Sequence, residues 1–158
     1  MDVLSRKRRA VLRSGGALVA ALAAAGWLKP GSATAQTWNK DAFETHALGD
    51  ARKALGALDA AQSSEVAFVQ TPEIAENGAV VPIGVTSNIP GTDSIAILIE
   101  KNPNPLAAVF DIPSGTEPAI STRVKMAQTS NVYALVRADG KYFVASKEIK
   151  VTLGGCGG

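Results

Sequence analysis

Beyond residue 63 the sequence is a succession of short apolar or alternating runs, each ended by strand-breaking residues. In one run, Ile120, Thr122 and Val124 alternate with polar neighbours, which is the two-residue period of a half-buried strand. Asp139-Gly140 separates two runs and is a strong hairpin signal. The pattern predicts seven strands, at residues 66–70, 79–86, 94–100, 107–112, 119–127, 131–138 and 141–148, the last extended by 149–153. This spacing predicts a mainly β fold, an Ig-like antiparallel β-sandwich, although the Cys…Trp…Cys pattern of antibody domains is absent.

Residues 38–58 follow a helical period instead. Asn39 is a plausible N-cap, and Asp41 falls in the first turn. One face of the predicted helix collects the apolar residues Phe43, Ala47, Ala51, Leu55 and Leu58. We therefore expect one amphipathic helix that packs on a partner surface. The lone histidine, His46, lies beside this stripe with no nearby Cys, His or paired acids, so we expect it to be structural.

The first 35 residues are typical of an export signal. A basic start is followed by the apolar run 17–25 and by Ala33-Thr34-Ala35, a cleavage-site pattern that places the mature start at Gln36. The apolar run is shorter than the roughly 20 residues of a membrane span. Arg8-Arg9, with two hydrophobic residues and a further Arg behind them, resembles a twin-arginine signal. An ordinary secretory signal is the alternative.

Amino-acid composition and charge narrow the classes of function that this chain can have. The 158 residues are enough for one domain, and the net charge of +2 comes from the predicted signal. Beyond residue 35 there are 10 basic and 13 acidic residues and no basic run, which argues against a nucleic-acid partner. There is no GxSxG, HExxH or GxGxxG motif and no cluster of His and acids. We expect a non-catalytic protein without cofactor or metal.

The chain ends in Gly154-Gly155-Cys156-Gly157-Gly158, and Cys156 is the only cysteine. In an exported protein a single cysteine predicts intermolecular pairing or a reactive thiol. Four glycines predict a flexible arm thin enough to enter an enzyme channel. The thiolate is the reactive form, and no flanking Lys, Arg or His favours it. Cys156 is therefore interpreted as an attachment point that other proteins activate.

This terminal pentapeptide, with the twin-arginine-like start and a helix before a β domain, resembles the SoxY family of sulfur carriers. The resemblance implies that Cys156 carries intermediates of thiosulfate or sulfide oxidation as a cysteine S-conjugate in the periplasm. It implies a complex with a SoxZ-like β-sandwich subunit. It also implies three visited enzymes: a c-type cytochrome complex that couples thiosulfate to the thiol, a dimanganese thiosulfohydrolase and, in many organisms, a sulfur dehydrogenase.

Other interpretations of the tail stay open. Cys156 could serve an exported interaction protein as an intermolecular disulfide, giving a disulfide-linked dimer. A thiocarboxylate on Gly158 would need ATP, which exported proteins lack. The predicted organisation has four parts: export signal 1–35, helical segment 36–62, β-sandwich 63–153 and arm 154–158.

Overall fold

The structure, a computed structural model, describes residues 39–152. The predicted export signal at 1–35 and the terminal arm with Cys156 lie outside the described residues. Among the residues described, no helix is long and apolar enough to cross a membrane.

Within that range the chain forms two short helices and nine strands arranged in two sheets. The helices are α1 (Lys40–Phe43) and α2 (Leu48–Ala54). The strands are β1 (Ala61–Gln62), β2 (Val66–Val69), β3 (Ile74–Ala75), β4 (Val81–Ser87), β5 (Thr92–Ile99), β6 (Leu106–Asp111), β7 (Ala119–Val124), β8 (Ser130–Ala138) and β9 (Lys141–Val151). The larger sheet has the order β1-β9-β8-β5-β6, with β3 also paired to β9, and the smaller sheet has the order β2-β4-β7. β1 and β3 run parallel to β9, and the other pairs are antiparallel.

The centre of the larger sheet is buried on both faces. In β5, Ile95 and Ile97 belong to the core between the two sheets, with Ile83 and Val85 of β4. The alternate residues Ala96 and Leu98 belong to a second apolar cluster that includes helix residues such as Ala51. Successive strand residues point to opposite faces of the sheet, so β5 contributes side chains to both cores. Its sequence is therefore a continuous apolar run.

The predicted mainly β, Ig-like sandwich is confirmed, and each of the seven predicted strands is present with its ends within three residues. At the predicted hairpin, Asp139 and Gly140 have φ values of 47° and 74°, as a two-residue turn of type I′ requires. The two additional strands, β1 and β3, are two residues long and exist through their pairing with β9. Such short segments carry no periodicity of their own.

The single helix predicted over residues 38–58 is wrong in its extent. The N-cap is correct, since the Asn39 side chain accepts a hydrogen bond from the Ala42 N–H at 3.1 Å. The helix then breaks after Phe43, where the Asn104 amide donates to the carbonyl oxygens of Phe43 and Thr45 at 3.2 and 3.3 Å. These contacts come from the β5–β6 connection, some 60 residues further along the chain than Phe43 and Thr45. No pattern in the local sequence predicts them.

The second helix ends earlier than predicted because of Gly56. This glycine has φ of 74°, and its N–H bonds to the Lys53 carbonyl while the next N–H, of Ala57, bonds to the Arg52 carbonyl. This is the Schellman pattern that ends helices at a left-handed glycine. Leu58 lies past this end and is 55% exposed, so it does not extend the buried face.

Candidate functional site at the root of the C-terminal segment

The described chain ends at Thr152, four residues before Cys156, so the structure locates the point from which the cysteine segment departs. That point is the end of β9, the longest strand of the described fold, which pairs along residues 141–149 with β8. Because β9 lies inside the larger sheet, its direction is fixed by neighbours on both edges.

Hydrogen bonds hold the last residues of β9 from two sides. On one side the N–H groups of Lys150 and Thr152 donate to the carbonyl oxygens of Glu73 and Ala75 at 2.9 and 3.1 Å. On the other side the Val151 N–H donates to the Thr129 hydroxyl oxygen at 3.0 Å. The backbone is therefore anchored up to the residue at which the described chain ends. We call residues 150–152 the arm root.

A close backbone approach supports the arm root from the turn that follows β3. The Gly78 carbonyl accepts a hydrogen bond from the Met126 N–H at 2.7 Å. A Cβ at Gly78 would lie 2.5 Å from the Met126 carbonyl oxygen and 2.9 Å from Cγ1 of Val151. The sequence marks Asn77-Gly78 as a turn, but the structure shows that glycine is needed there for space.

The surface beside the arm root has mixed charge. A depression of about 300 Å³ is lined by Glu73, Ile74, Lys147, Glu148 and Lys150. The Lys147 ammonium donates to the Thr71 carbonyl at 2.7 Å. Cys156 is the fourth residue after Thr152, so the Cα of the cysteine reaches at most about 14 Å from the Cα of Thr152. Whatever meets the thiol must come close to this surface.

The His, Asp and Glu side chains of the described residues do not gather into a metal site. Within 39–152 there is no group of three or more His, Asp and Glu side chains that could hold a metal ion. His46 is exposed, and its Nδ1 lies 2.9 Å from the Pro103 carbonyl oxygen, which ties the segment between the helices to the β5–β6 connection. This contact agrees with the structural role expected for the histidine.

Between residues 39 and 152, two titrating groups have shifted pKa values. Burial, and then the nearby Glu100, raises the pKa of Tyr133, and a hydrogen bond to Asp93 at 2.7 Å raises the pKa of Arg137. Both shifts favour the protonation state that each side chain already has at neutral pH. Neither group is therefore suited to exchange protons with a substrate.

Sequence reasoning missed the residues that build the arm root, namely Glu73, Ala75, Gly78 and Thr129. They come from the β2–β3 connection, β3, the turn after it and the β7–β8 connection, and they meet only at the end of β9. Asn77-Gly78 was a signal of a turn, but not of where that turn packs.

The fold and this site define a class: an Ig-like β-sandwich whose last strand is anchored on both sides and leads to a single terminal cysteine. A family model described as "Sulfur oxidation protein SoxY" matches residues 51–156, which is more than half of the chain. The chain belongs to the SoxY family. Membership of this family supports a role for the chain as a carrier protein in sulfur oxidation.

Solved structures agree with the family assignment. The sulfur carrier protein SoxY from Chlorobium limicola f thiosulfatophilum is 38% identical, with a TM-score of 0.57 over 66% of this chain and 96% of that chain. A superoxide reductase (neelaredoxin) variant from Ignicoccus hospitalis has a TM-score of 0.50 at 17% identity, over 58% and 83% of the two chains. At that identity it shows similarity of fold alone. Among curated proteins, none matches the chain.

Proposed function

We propose that Cys156 is the attachment point for sulfur intermediates of thiosulfate or sulfide oxidation, presented on the Gly154–Gly158 segment to successive enzymes. The observation that carries the proposal is the anchoring of β9 through Thr152, four residues before the only cysteine of the chain. A firmly held root followed by four glycines around a thiol suits a tethered substrate, whereas a catalytic cysteine needs fixed partners. Family membership supports the carrier role.

The chemistry of loading and release follows from the thiol. When thiosulfate couples to Cys156, a sulfur–sulfur bond forms, the thiol releases one proton, and two electrons pass to a c-type cytochrome complex. A dimanganese thiosulfohydrolase then directs water to the terminal sulfone sulfur. The bond between the two outer sulfur atoms breaks, sulfate leaves with the release of one proton, and the other hydrogen of the water stays on the persulfide Cys156–S–SH. A sulfur dehydrogenase would oxidise this sulfane sulfur where the organism has one. In this scheme the carrier positions the bound sulfur group, and the enzymes activate it for reaction.

The carrier is proposed to work in complex with a SoxZ-like subunit. β6 forms an edge of the larger sheet, and its run from Leu106 to Phe110 contains no charged residue before Asp111. Sheet edges expose unpaired backbone groups, and charged residues or proline usually protect them. An apolar edge of this length supports association with a second β domain by strand pairing.

The export signal predicted at residues 1–35 supports a periplasmic location reached through the twin-arginine route, which carries folded cargo. The proposal is tested by purifying the native, unreduced protein from the periplasmic fraction of thiosulfate-grown cells and measuring its intact mass. We expect a mature chain beginning near Gln36, a sulfur adduct on the peptide that contains Cys156, and a co-purifying β-domain subunit.

Cys156→Ser is the decisive variant. It should abolish thiosulfate-dependent respiration and adduct formation while leaving the unfolding transition unchanged, because residue 156 lies beyond the last strand. Normal thiosulfate oxidation by this variant would refute the carrier role. If native preparations contain only disulfide dimer and free thiol, the alternative of an interaction protein linked through Cys156 would replace it.

A further inference from the structure

Two of the large apolar side chains that are exposed on the described surface lie in the segment that packs on the arm root. Ile74 is 58% exposed and Val80 is 51% exposed. Ile74 belongs to β3, directly opposite Lys150 in the ladder with β9, and Val80 follows two residues after Gly78. Neighbouring strands are about 4.8 Å apart, so Ile74 lies within about 8 Å of the Cα of Thr152.

The length of chain between Thr152 and Cys156 limits how an enzyme can approach. An active site must bring its reacting groups to a thiol whose own Cα lies within about 14 Å of the Cα of Thr152. An active site at the bottom of a channel needs part of that length for the channel itself. The rim of the channel therefore has to come close to the arm root, and the side chains exposed there contact it.

We propose that Ile74 and Val80 form a docking surface for the channel rims of the enzymes that act on the Cys156 conjugate. This inference rests on the carrier function proposed above and names a binding surface for it. The expected occupant is an apolar patch on the rim, since covering exposed aliphatic side chains is favourable. The neighbouring Glu73, Glu148, Lys147 and Lys150 provide both signs of charge and favour no single-sign partner surface. A shared apolar contact suits a carrier that several enzymes must recognise and then release.

The test uses the full-length mature protein, loaded on Cys156 with thiosulfonate, and the thiosulfohydrolase. Sulfate release is measured for the wild type, for Ile74→Ser with Val80→Ser together, and for Ile74→Val as a conservative control. We expect the double variant to raise KM about tenfold or more with kcat little changed, because ground-state and transition-state binding are lost equally. Ile74→Val should behave like the wild type.

Leu58→Ser is the matched surface control. Leu58 is 55% exposed, and its neighbours Ala57 and Asp59 line a depression together with Tyr142 at the start of β9. An 11-residue strand spans about 35 Å, so Leu58 is far outside the reach of the cysteine segment. This variant should leave KM unchanged. Reaction of the unloaded thiol with a small disulfide reagent should proceed equally fast in all variants.

The outcomes separate the two hypotheses. If the wild-type carrier is loaded and hydrolysed but the double variant has the same KM, the docking surface is wrong and the carrier function stands. If the enzyme does not process the loaded wild-type carrier, the carrier function itself fails. Sedimentation analysis covers a third case: self-association of the wild type that the double variant loses would assign the surface to a second copy and overturn the inference.

Discussion

Substituting Gly78 by alanine tests whether the arm root depends on close packing of the turn after β3. The added methyl carbon would lie 2.5 Å from the Met126 carbonyl oxygen and 2.9 Å from Cγ1 of Val151. The first contact is with backbone, so no side-chain rotation relieves it. The turn has to move away from residue 126, which strains the hydrogen bond from the Met126 N–H to the Gly78 carbonyl.

The expected cost follows from the size of this overlap. Forcing one additional carbon into a packed site typically destabilises a protein by about 1–3 kcal/mol. For a domain of this size, each kcal/mol lowers the melting temperature by roughly 4 °C. Gly78→Ala should therefore lower the melting temperature by about 4–12 °C. Because the displaced turn follows β3, the amides of Lys150 and Thr152 should also exchange faster with solvent than in the wild type.

The assay is denaturant and thermal unfolding followed by circular dichroism, combined with amide hydrogen exchange. Gly49→Ala is the matched control. A Cβ at Gly49 meets nothing within 4 Å, and the residue lies in helix α2, where alanine is favoured over glycine by about 1 kcal/mol. The same substitution should thus stabilise at one site and destabilise at the other.

Equal stability of Gly78→Ala and wild type, with unchanged exchange at Lys150 and Thr152, would refute the reasoning. It would mean that the turn shifts without loss and that the arm root is held by the strand ladder alone. A destabilised variant with unchanged exchange at both amides would show that the close approach supports the fold but not the arm root.

Two further predictions concern the sandwich itself. A Cβ at Gly84 would overlap the Val69 carbonyl oxygen, so Gly84→Ala should destabilise by about 1–3 kcal/mol in chemical unfolding, and an unchanged midpoint would contradict the described packing. The pKa of Tyr133 is raised above its ordinary value of 10.0 by burial and by Glu100, so the folded state holds this proton more tightly than the unfolded state does. Stability from this group is therefore present below pH 10.0 and lost as the pH rises through the folded pKa, and Tyr133→Phe should show a smaller fall in unfolding free energy above pH 10.0. If the unfolding free energy falls equally with pH in the wild type and in Tyr133→Phe, the coupling between Tyr133 ionisation and folding is excluded.

Local sequence pattern predicts most strands and turns of this chain, because each of them depends on residue types within a few positions of one another. The alternation of Ile120, Thr122 and Val124 marks one half-buried strand. Asp139 and Gly140 adopt positive φ because these two residue types tolerate it. The predicted helix is too long because the apolar period continues past Gly56, whereas in the structure this glycine ends the helix.

Local sequence pattern was enough to predict the β-sandwich and the N-cap at Asn39, and to propose a role for Cys156. The residues beside Cys156 are glycines, which offer its thiol no catalytic partner, so the covalent sequence suffices to propose it as the attachment point. The tertiary structure was needed to show how the arm root, residues 150–152, is held. The groups that anchor residues 150–152 come from Glu73, Ala75 and Thr129, more than 20 residues away along the chain. Hydrogen bonds between such distant residues depend on sheet order and register, which local periodicity does not encode.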